Sequence, residues 1–411
     1  MSVEGWKLRR LDEIGEICSG STPSTNNLSY WDGDITWVTP NDLSKLNTPY
    51  LITSSKKITQ QGLKSCSAQI VPIGSIILSS RAPIGYLAIS LVDCCTNQGC
   101  KSFNLNPEYD SEFVYYNLKY NINKIKNLGE GTTFAEISKT ALSKIQISFL
   151  ENKQEQTQIA TILSTIDRAI EQTEALITKQ QRIKTGLMQD LLTKGIDENG
   201  NIRSEETHEF KDSPLGRIPV EWEVKSLQEC VEFWDGKRVP LKQSDRDLMQ
   251  GEIPYYGASG IIDYIDKYIF DEDLILVGED GENVVSRRLP LCFKITGKSW
   301  VNNHAHVLKP VFNANIDFLT ERLEFFDYTL LISGSAQPKL NQRNLRNLSF
   351  SIPPLSEQKM IASLITNQNR SIKEYETEKE KLMRKKTGLM QDLLTGKVRV
   401  TDLLNQNTAT N

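Results

Sequence analysis

Two stretches of the chain carry apolar residues at alternating spacings of three and four. In the first, Ile159, Leu163, Ile166, Ile170, Ile177, Leu187 and Leu191 fall in line; in the second, Ile361, Ile365, Ile372, Leu389 and Leu393 do, with Leu382 between. That spacing puts the apolar side chains on one face of a helix. Residues 151–185 and 355–387 contain neither Gly nor Pro, the residues that interrupt helices. The pattern predicts two long helices, over 151–193 and 354–396. A helix over 155–193 would run about 58 Å at 1.5 Å per residue. A domain of this size is narrower than that. Part of the apolar seam therefore needs a partner beyond its own domain, and the equivalent seam of the other helix is the nearest one. The polar seam positions Thr173, Gln180, Lys184, Gln368, Lys379 and Lys386 leave the register open.

The rest of the chain has a different period. Residues 1–150 and 222–353 carry short β-rich runs such as Ser75-Ile-Ile-Leu78 and Leu274-Ile-Leu-Val277, punctuated by turn residues such as Trp31-Asp-Gly-Asp34 and Glu279-Asp-Gly281. With a helix around Glu112–Leu118, each region reads as an α/β globule of about 130–150 residues. Residues 194–221, rich in Gly, Asp, Glu and Ser, read as an exposed linker, and 397–411 as a C-terminal tail.

The chain is written twice. Thr185 to Thr193 reads Thr-Gly-Leu-Met-Gln-Asp-Leu-Leu-Thr, and the same nine residues return at Thr387 to Thr395. At the same offset Lys179, Arg182 and Lys184 match Lys381, Arg384 and Lys386, and Ile159-Ala160 matches Ile361-Ala362. Trp6 and Trp222 open the two halves alike. The predicted fold class is α+β: two β-rich α/β globules joined by two long helices packed as an antiparallel coiled coil, related by a pseudo-two-fold internal repeat. The helices nearly agree while the globules have drifted apart. Such a chain meets one kind of partner twice and reads two different things, which suits a two-part site on a helical polymer. DNA repeats about every 34–36 Å, so two separated readers can enter successive major grooves.

Composition adds only limits. The formal net charge of −4 over 411 residues does not announce a nucleic-acid binder, although acidic helices can hide a basic groove in the sum. The first residues lack the apolar run of a signal peptide, and no stretch reaches the roughly 20 apolar residues of a membrane span. Seven cysteines without a Cys-x-x-Cys pair read as reduced thiols in the cytoplasm, with no zinc site and no membrane partner expected.

Particular motifs carry a family resemblance. Gly20-Ser-Thr-Pro-Ser24, Tyr30-Trp-Asp-Gly-Asp-Ile-Thr-Trp-Val-Thr-Pro40, Ser80-Arg-Ala-Pro-Ile-Gly85, Asn97-Gln-Gly99 and Gly131-Thr-Thr-Phe-Ala-Glu-Ile-Ser138 resemble the first target recognition domain of type I restriction-modification specificity subunits. Tyr255-Tyr-Gly-Ala-Ser-Gly-Ile-Ile-Asp263, Gly278-Glu-Asp-Gly281 and Val301-Asn-Asn-His-Ala-His-Val307 look like a second variant of that domain. Pro353-Pro-Leu-Ser-Glu-Gln-Lys359 and Gly388-Leu-Met-Gln-Asp-Leu-Leu-Thr-Gly-Lys-Val398 are similar to the family's helix start and helix end. Phe149-Leu-Glu-Asn-Lys153 departs from it where the family has Pro-Pro-Leu, which leaves the first helix start open. The resemblance implies a non-catalytic subunit that binds one two-part sequence in double-stranded DNA. It implies two modification subunits, which carry S-adenosylmethionine and methylate adenine, and two ATP- and Mg-dependent restriction subunits. No cofactor is expected on this chain.

Enzymatic alternatives find little support in the residues. Asn106-Pro-Glu-Tyr109 resembles the Asn-Pro-Pro-Tyr loop of adenine methyltransferases, but Glu108 replaces the second proline and no Gly-rich cofactor loop precedes it. Gly297-Lys-Ser299 lacks the first glycine of a phosphate loop, because Cys292 stands there. His304-Ala-His306 offers two imidazoles without an evident third ligand. A fused DNA-modifying enzyme and a purely protein-binding coiled-coil adaptor are the alternative readings.

If the chain reads DNA, Lys and Arg should meet phosphates and polar side chains should reach base edges. The candidates in the first domain are Thr22, Ser80, Arg81, Asn97, Gln98, Lys101, Thr132 and Thr133. In the second they are Lys237, Arg238, Arg287, Arg288, Asn302, Asn303, His304, Gln337 and Lys339. Asn97 and Asn302 serve equally well as stabilisers of their own loops.

Overall fold

A buried four-residue strand, Ile76–Ser79, lies within a five-stranded sheet because its unbroken apolar run can cover both faces. The computed structural model describes residues 3–129, 136–311, 313–334 and 338–402. It divides into two compact units, Met1–Glu174 with Thr377–Asn411, and Ala175–Glu376.

In the first unit the five-stranded sheet runs Gly15–Ser19, Cys100–Leu105, Ile76–Ser79, Leu87–Ser90, Tyr50–Leu51. A three-stranded sheet orders Lys56–Ile58, Trp31–Val38 and Cys94–Thr96, the last two parallel. Trp6–Arg10 pairs antiparallel with Gln146–Leu150.

The second unit repeats this plan. Val231–Phe233, Ala305–Pro310, Leu274–Gly278 and Cys292–Ile295 form one sheet. Gly260–Ile265, Gln250–Gly257, Lys298–Val301 and Phe270–Asp271 form the other, in which Tyr255 and Tyr256 run parallel to Trp300 and Val301. Glu223–Ser226 pairs antiparallel with Ser349–Ile352. Four strands of the first sheet and three of the second keep the same order and directions in both units, with Tyr50–Leu51 and Phe270–Asp271 added at different edges, so this is an α+β fold with an internal repeat.

The long helices are Lys153–Thr193 and Leu355–Leu394. The first starts without the family's prolines because Asn152 Oδ1 accepts the Glu155 N–H at 3.1 Å, an N-cap. Within the first unit, residues 153–174 and 377–394 run antiparallel: Arg399 meets Glu155, Lys386 meets Asp167, and Lys379 meets Glu174 at 2.8 Å. Within the second, the Gln368 amide donates to Gln180 Oε1 at 2.8 Å. Lys184 reaches Glu321 at 3.7 Å. The polar seam positions are thus matched rather than wasted. The apolar seam divides its work. Ile159, Leu163 and Leu393 enter the first unit's core with Phe113 and Tyr116, and Leu191, Ile361 and Ile365 enter the second unit's core with Trp222 and Phe318. Ile170, Ile177 and Ile372, nearer the helix centres, stay half-buried.

Residues 194–221, expected as an exposed linker, are built into the second unit. They hold a hairpin, Phe210–Ser213 with Gly216–Pro219, and bury Ile196, Arg203 and Ile218. The cause is an ion pair: Arg203 Nη1 lies 2.6 Å from Glu357 Oε1, and Trp222 Nε1 donates to the same carboxylate at 3.2 Å. Gly195 sits at φ +66°, where an added Cβ would come within 2.2 Å of Glu357, so only glycine passes there. The described start of the expected tail, residues 397–402, is likewise anchored, with Val400 buried and Arg399 on Glu155.

Candidate nucleic-acid interface

In each unit three loops converge, and the sheet pairing dictates which. In the first unit the strand pair Ser79 with Cys100 sets the turn after Ile76–Ser79 beside the turn at Asn97–Gly99. Ser80 and Arg81 both donate their backbone N–H to Gly99 O, at 2.8 and 3.1 Å. The loop after Gly15–Ser19 joins them, with Thr22 Oγ1 donating to Gln98 Oε1 at 2.5 Å. Asn97 Oδ1 accepts the Gly99 N–H at 3.0 Å, closing a turn that leaves Gln98 exposed at its tip.

The second unit builds the same frame from other residues. Glu279 N–H donates to His304 O at 2.8 Å, and Asn302 Oδ1 accepts the His304 N–H at 2.8 Å, leaving Asn303 exposed at the tip. The loop after Val231–Phe233 arrives through Arg238, whose Nη1 donates to Asn303 O at 3.3 Å and to Ala305 O at 2.7 Å.

The charges on the two frames are exchanged. In the first, Arg81 bridges Glu136 at 2.9 Å, and the buried Lys101 ammonium reaches Ser80 Oγ and Gln98 O, each at 3.4 Å. Burial pushes the Lys101 pKa down, against the pull of Glu136. In the second, the acids lie inside. Glu279 takes Arg238 at 2.7 Å and Lys339 at 2.9 Å, and these hydrogen bonds outweigh burial to hold its carboxyl below the usual range. Asp235 is held low in the same way, burial being outweighed by the His306 ring at 2.6 Å and the Val307 N–H.

Several predicted contacts take internal roles. Ser80 is fully buried, and Lys101 is only 4% exposed, so neither offers itself to a phosphate. Arg238 is committed to Glu279 and three carbonyls because its strand-end loop folds back over them. Arg287, at φ +52° after a short helix, is drawn to Glu324 at 3.0 Å. Asn97 and Asn302 cap their own turns. Arg81 and Lys339 are exposed and paired, and His304 is exposed against Asp280 at 2.9 Å. Lys237 lies exposed with its ammonium 3.2 Å from the Trp234 ring centroid, and Arg288 is exposed without an ionic partner among the described residues. Thr132, Thr133 and Gln337 lie outside the described residues. Sequence reasoning passed over Glu136, Asp235 and Glu279. Of these Glu136 and Glu279 stood inside quoted motifs, and the place of Glu279 after an apolar strand was an available signal.

The motifs weighed for chemistry serve the fold. Asn106–Tyr109 is a turn closed by Tyr109 N–H on Asn106 O at 3.0 Å, leading to the helix Ser111–Tyr120. Gly297, at φ +66°, sits in the turn that carries the chain from Cys292–Ile295 to Lys298–Val301 in the other sheet. His304 and His306 are held by separate carboxylates, and no group of three or more metal-ligating side chains occurs among the described residues. No helix there is long and apolar enough to cross a membrane.

Comparison with known proteins places this geometry. The family described as the type I restriction modification DNA specificity domain matches twice, over residues 3–180 and 219–384. The chain is 28% identical over 419 aligned residues to the type I restriction enzyme MjaIX specificity subunit of Methanocaldococcus jannaschii, covering 97% of this chain and 94% of that protein. In fold it is similar to the S subunit of a type I restriction-modification system from M. genitalium, with TM-score 0.62, 19% identity, and coverage of 95% and 96%. A chain solved in work on complex assembly and conformational transition of the type I system gives TM-score 0.57 at 15% identity, with coverage of 97% and 100%.

Proposed function

The chain belongs to the type I restriction-modification DNA specificity family, and on that premise we propose that it reads a two-part target in double-stranded DNA, one half-site per unit. The loops around Asn97–Gly99 and Asn302–His304 face the bases. Exposed cations, among them Lys237 and Arg288, meet phosphates, which position the protein without carrying sequence information. The paired helices set the distance between half-sites and receive two modification subunits around the nine residues repeated in each, Thr185–Thr193 and Thr387–Thr395, and two restriction subunits complete the complex. S-adenosylmethionine, ATP and Mg belong to those partners; this chain performs no catalysis.

The observation that carries this reading is one loop frame built twice with different side chains. Gly99 O takes the N–H of Ser80, and His304 O takes that of Glu279, both at 2.8 Å, yet the charges around them are exchanged. A common frame with divergent chemistry suits two readers of unlike sequences. Mapping methylated adenines in the host with and without this gene tests it. One two-part motif should vanish with the gene; an unchanged methylation pattern would contradict the reading.

A further inference from the structure

We propose that Gln98 and Asn303 are the equivalent base-reading residues of the two units, each recognising an adenine in its half-site. This rests on the reading above that these loops face DNA. The two residues occupy the same place. The residue before each donates its backbone N–H to the neighbouring parallel strand, Asn97 to Val38 O at 2.9 Å and Asn302 to Tyr256 O at 3.0 Å. The side chain of that preceding asparagine then caps the N–H of the residue after the tip. The tip is pinned on both sides.

A third restraint makes the case. In both units an internal cation holds the carbonyl of the tip residue itself: Lys101 Nζ lies 3.4 Å from Gln98 O, and Arg238 Nη1 lies 3.3 Å from Asn303 O. Those cations come from different elements, Lys101 from the strand Cys100–Leu105 and Arg238 from the loop after Val231–Phe233. Two unrelated solutions reach one result. Withdrawing an ammonium from water, as at Lys101, costs free energy unless it is repaid by its partners, so the position of this carbonyl is strongly specified. The side chain it carries is exposed in both units, and in both it is a carboxamide.

A rigidly placed carboxamide has a defined complement. Its N–H donates to adenine N7 while its oxygen accepts from the N6 amino group, a bidentate match available in the major groove. In the first unit Thr22 donates to Gln98 Oε1, which fixes the amide plane. The amide NH2 stays free, and the oxygen keeps a second lone pair for the base. Asn303, one methylene shorter, is held at its own carbonyl by Arg238 Nη1 at 3.3 Å.

Methylome sequencing of a host carrying wild-type, Gln98→Ala or Asn303→Ala genes tests this. Each variant should keep the gap and one whole half-site, and lose preference at a single adenine of the other half-site by roughly 5- to 150-fold, the worth of one bidentate amide contact. Gln98→Ala and Asn303→Ala must affect opposite half-sites. An unchanged motif in either variant, relaxation at a position that is not adenine, or methylation lost at every site alike would overturn the assignment while leaving the two-part reading intact. A wild-type chain that directs no two-part motif would sink both.

Discussion

Arg203 grips Glu357 through two hydrogen bonds, 2.6 and 3.2 Å, at a site where both side chains are less than 10% exposed. The pair ties the segment after the first long helix to the start of the second. The first unit repeats the device with Arg399 on Glu155, at 2.7 and 2.6 Å, although Arg399 is 30% exposed. Glu155 and Glu357 stand 202 residues apart, the offset of the repeat.

Removing one partner of a buried ion pair leaves the other charge unmatched, which costs about 3–5 kcal/mol. Glu357→Ala should destabilise the second unit by that order, since it strands Arg203 and frees Trp222 Nε1 as well. Glu155→Ala should cost less, because water reaches Arg399. Urea unfolding with hydrogen exchange read at residues of each unit separates the two effects.

The Glu155 pair also sets a pH dependence. The hydrogen bond from Arg399 is the largest influence and holds the Glu155 carboxyl below its ordinary 4.5, against the effect of burial. A depressed carboxylate contributes stability that is fully present above the unfolded value and is lost as pH falls through the folded one. Glu155→Gln should therefore lower the unfolding temperature at pH 7, and the gap from wild type should close below about pH 4.5. A gap that stays constant with pH would mean the charge is not what holds Arg399.

Buried and exposed cations should part company in salt. Each phosphate neutralised contributes about 0.9 to the slope of log affinity against log salt concentration. Lys237→Ala and Arg288→Ala should each lower the slope of the assembled complex by about one. Lys101→Met should weaken binding through its loop and leave the slope alone, because the ammonium is 4% exposed. Titrations at three or more salt concentrations give the comparison.

Much of this molecule was legible in its sequence, and the part that was not has a common cause. The three-and-four spacing of Ile159, Leu163 and Ile166 needed only local periodicity to announce a helix, and the returned nine residues announced the repeat. Arg203 read as linker because its partner lies 154 residues away, and only the fold brings a buried carboxylate to it. Lys101 and Arg238 read as phosphate contacts for the same reason: a cation's identity does not reveal that it faces a carbonyl. The candidate loops do come together in the fold, Asn97-Gln-Gly99 with Ser80 and Asn302-Asn-His304 with Glu279. Which side chain points outward was decided by the caps at Asn97 and Asn302, a matter of backbone geometry.

If the helices set the gap, lengthening them lengthens it. Insertion of seven residues, two turns, near Thr185–Thr193 adds about 10.5 Å of helix. The gap between half-sites should grow by about three base pairs, at 3.4 Å each. Methylated motifs of the inserted chain show it directly, and an unchanged gap would mean that something else measures the distance.

If two independent readers share one chain, exchanging one of them exchanges half of the target. Residues 222–353 can be replaced by the corresponding region of another member of the family and the methylated motif determined by sequencing. One half-site should change to that of the donor while the other half-site stays as it was. A motif altered in both halves, or in neither, would contradict it.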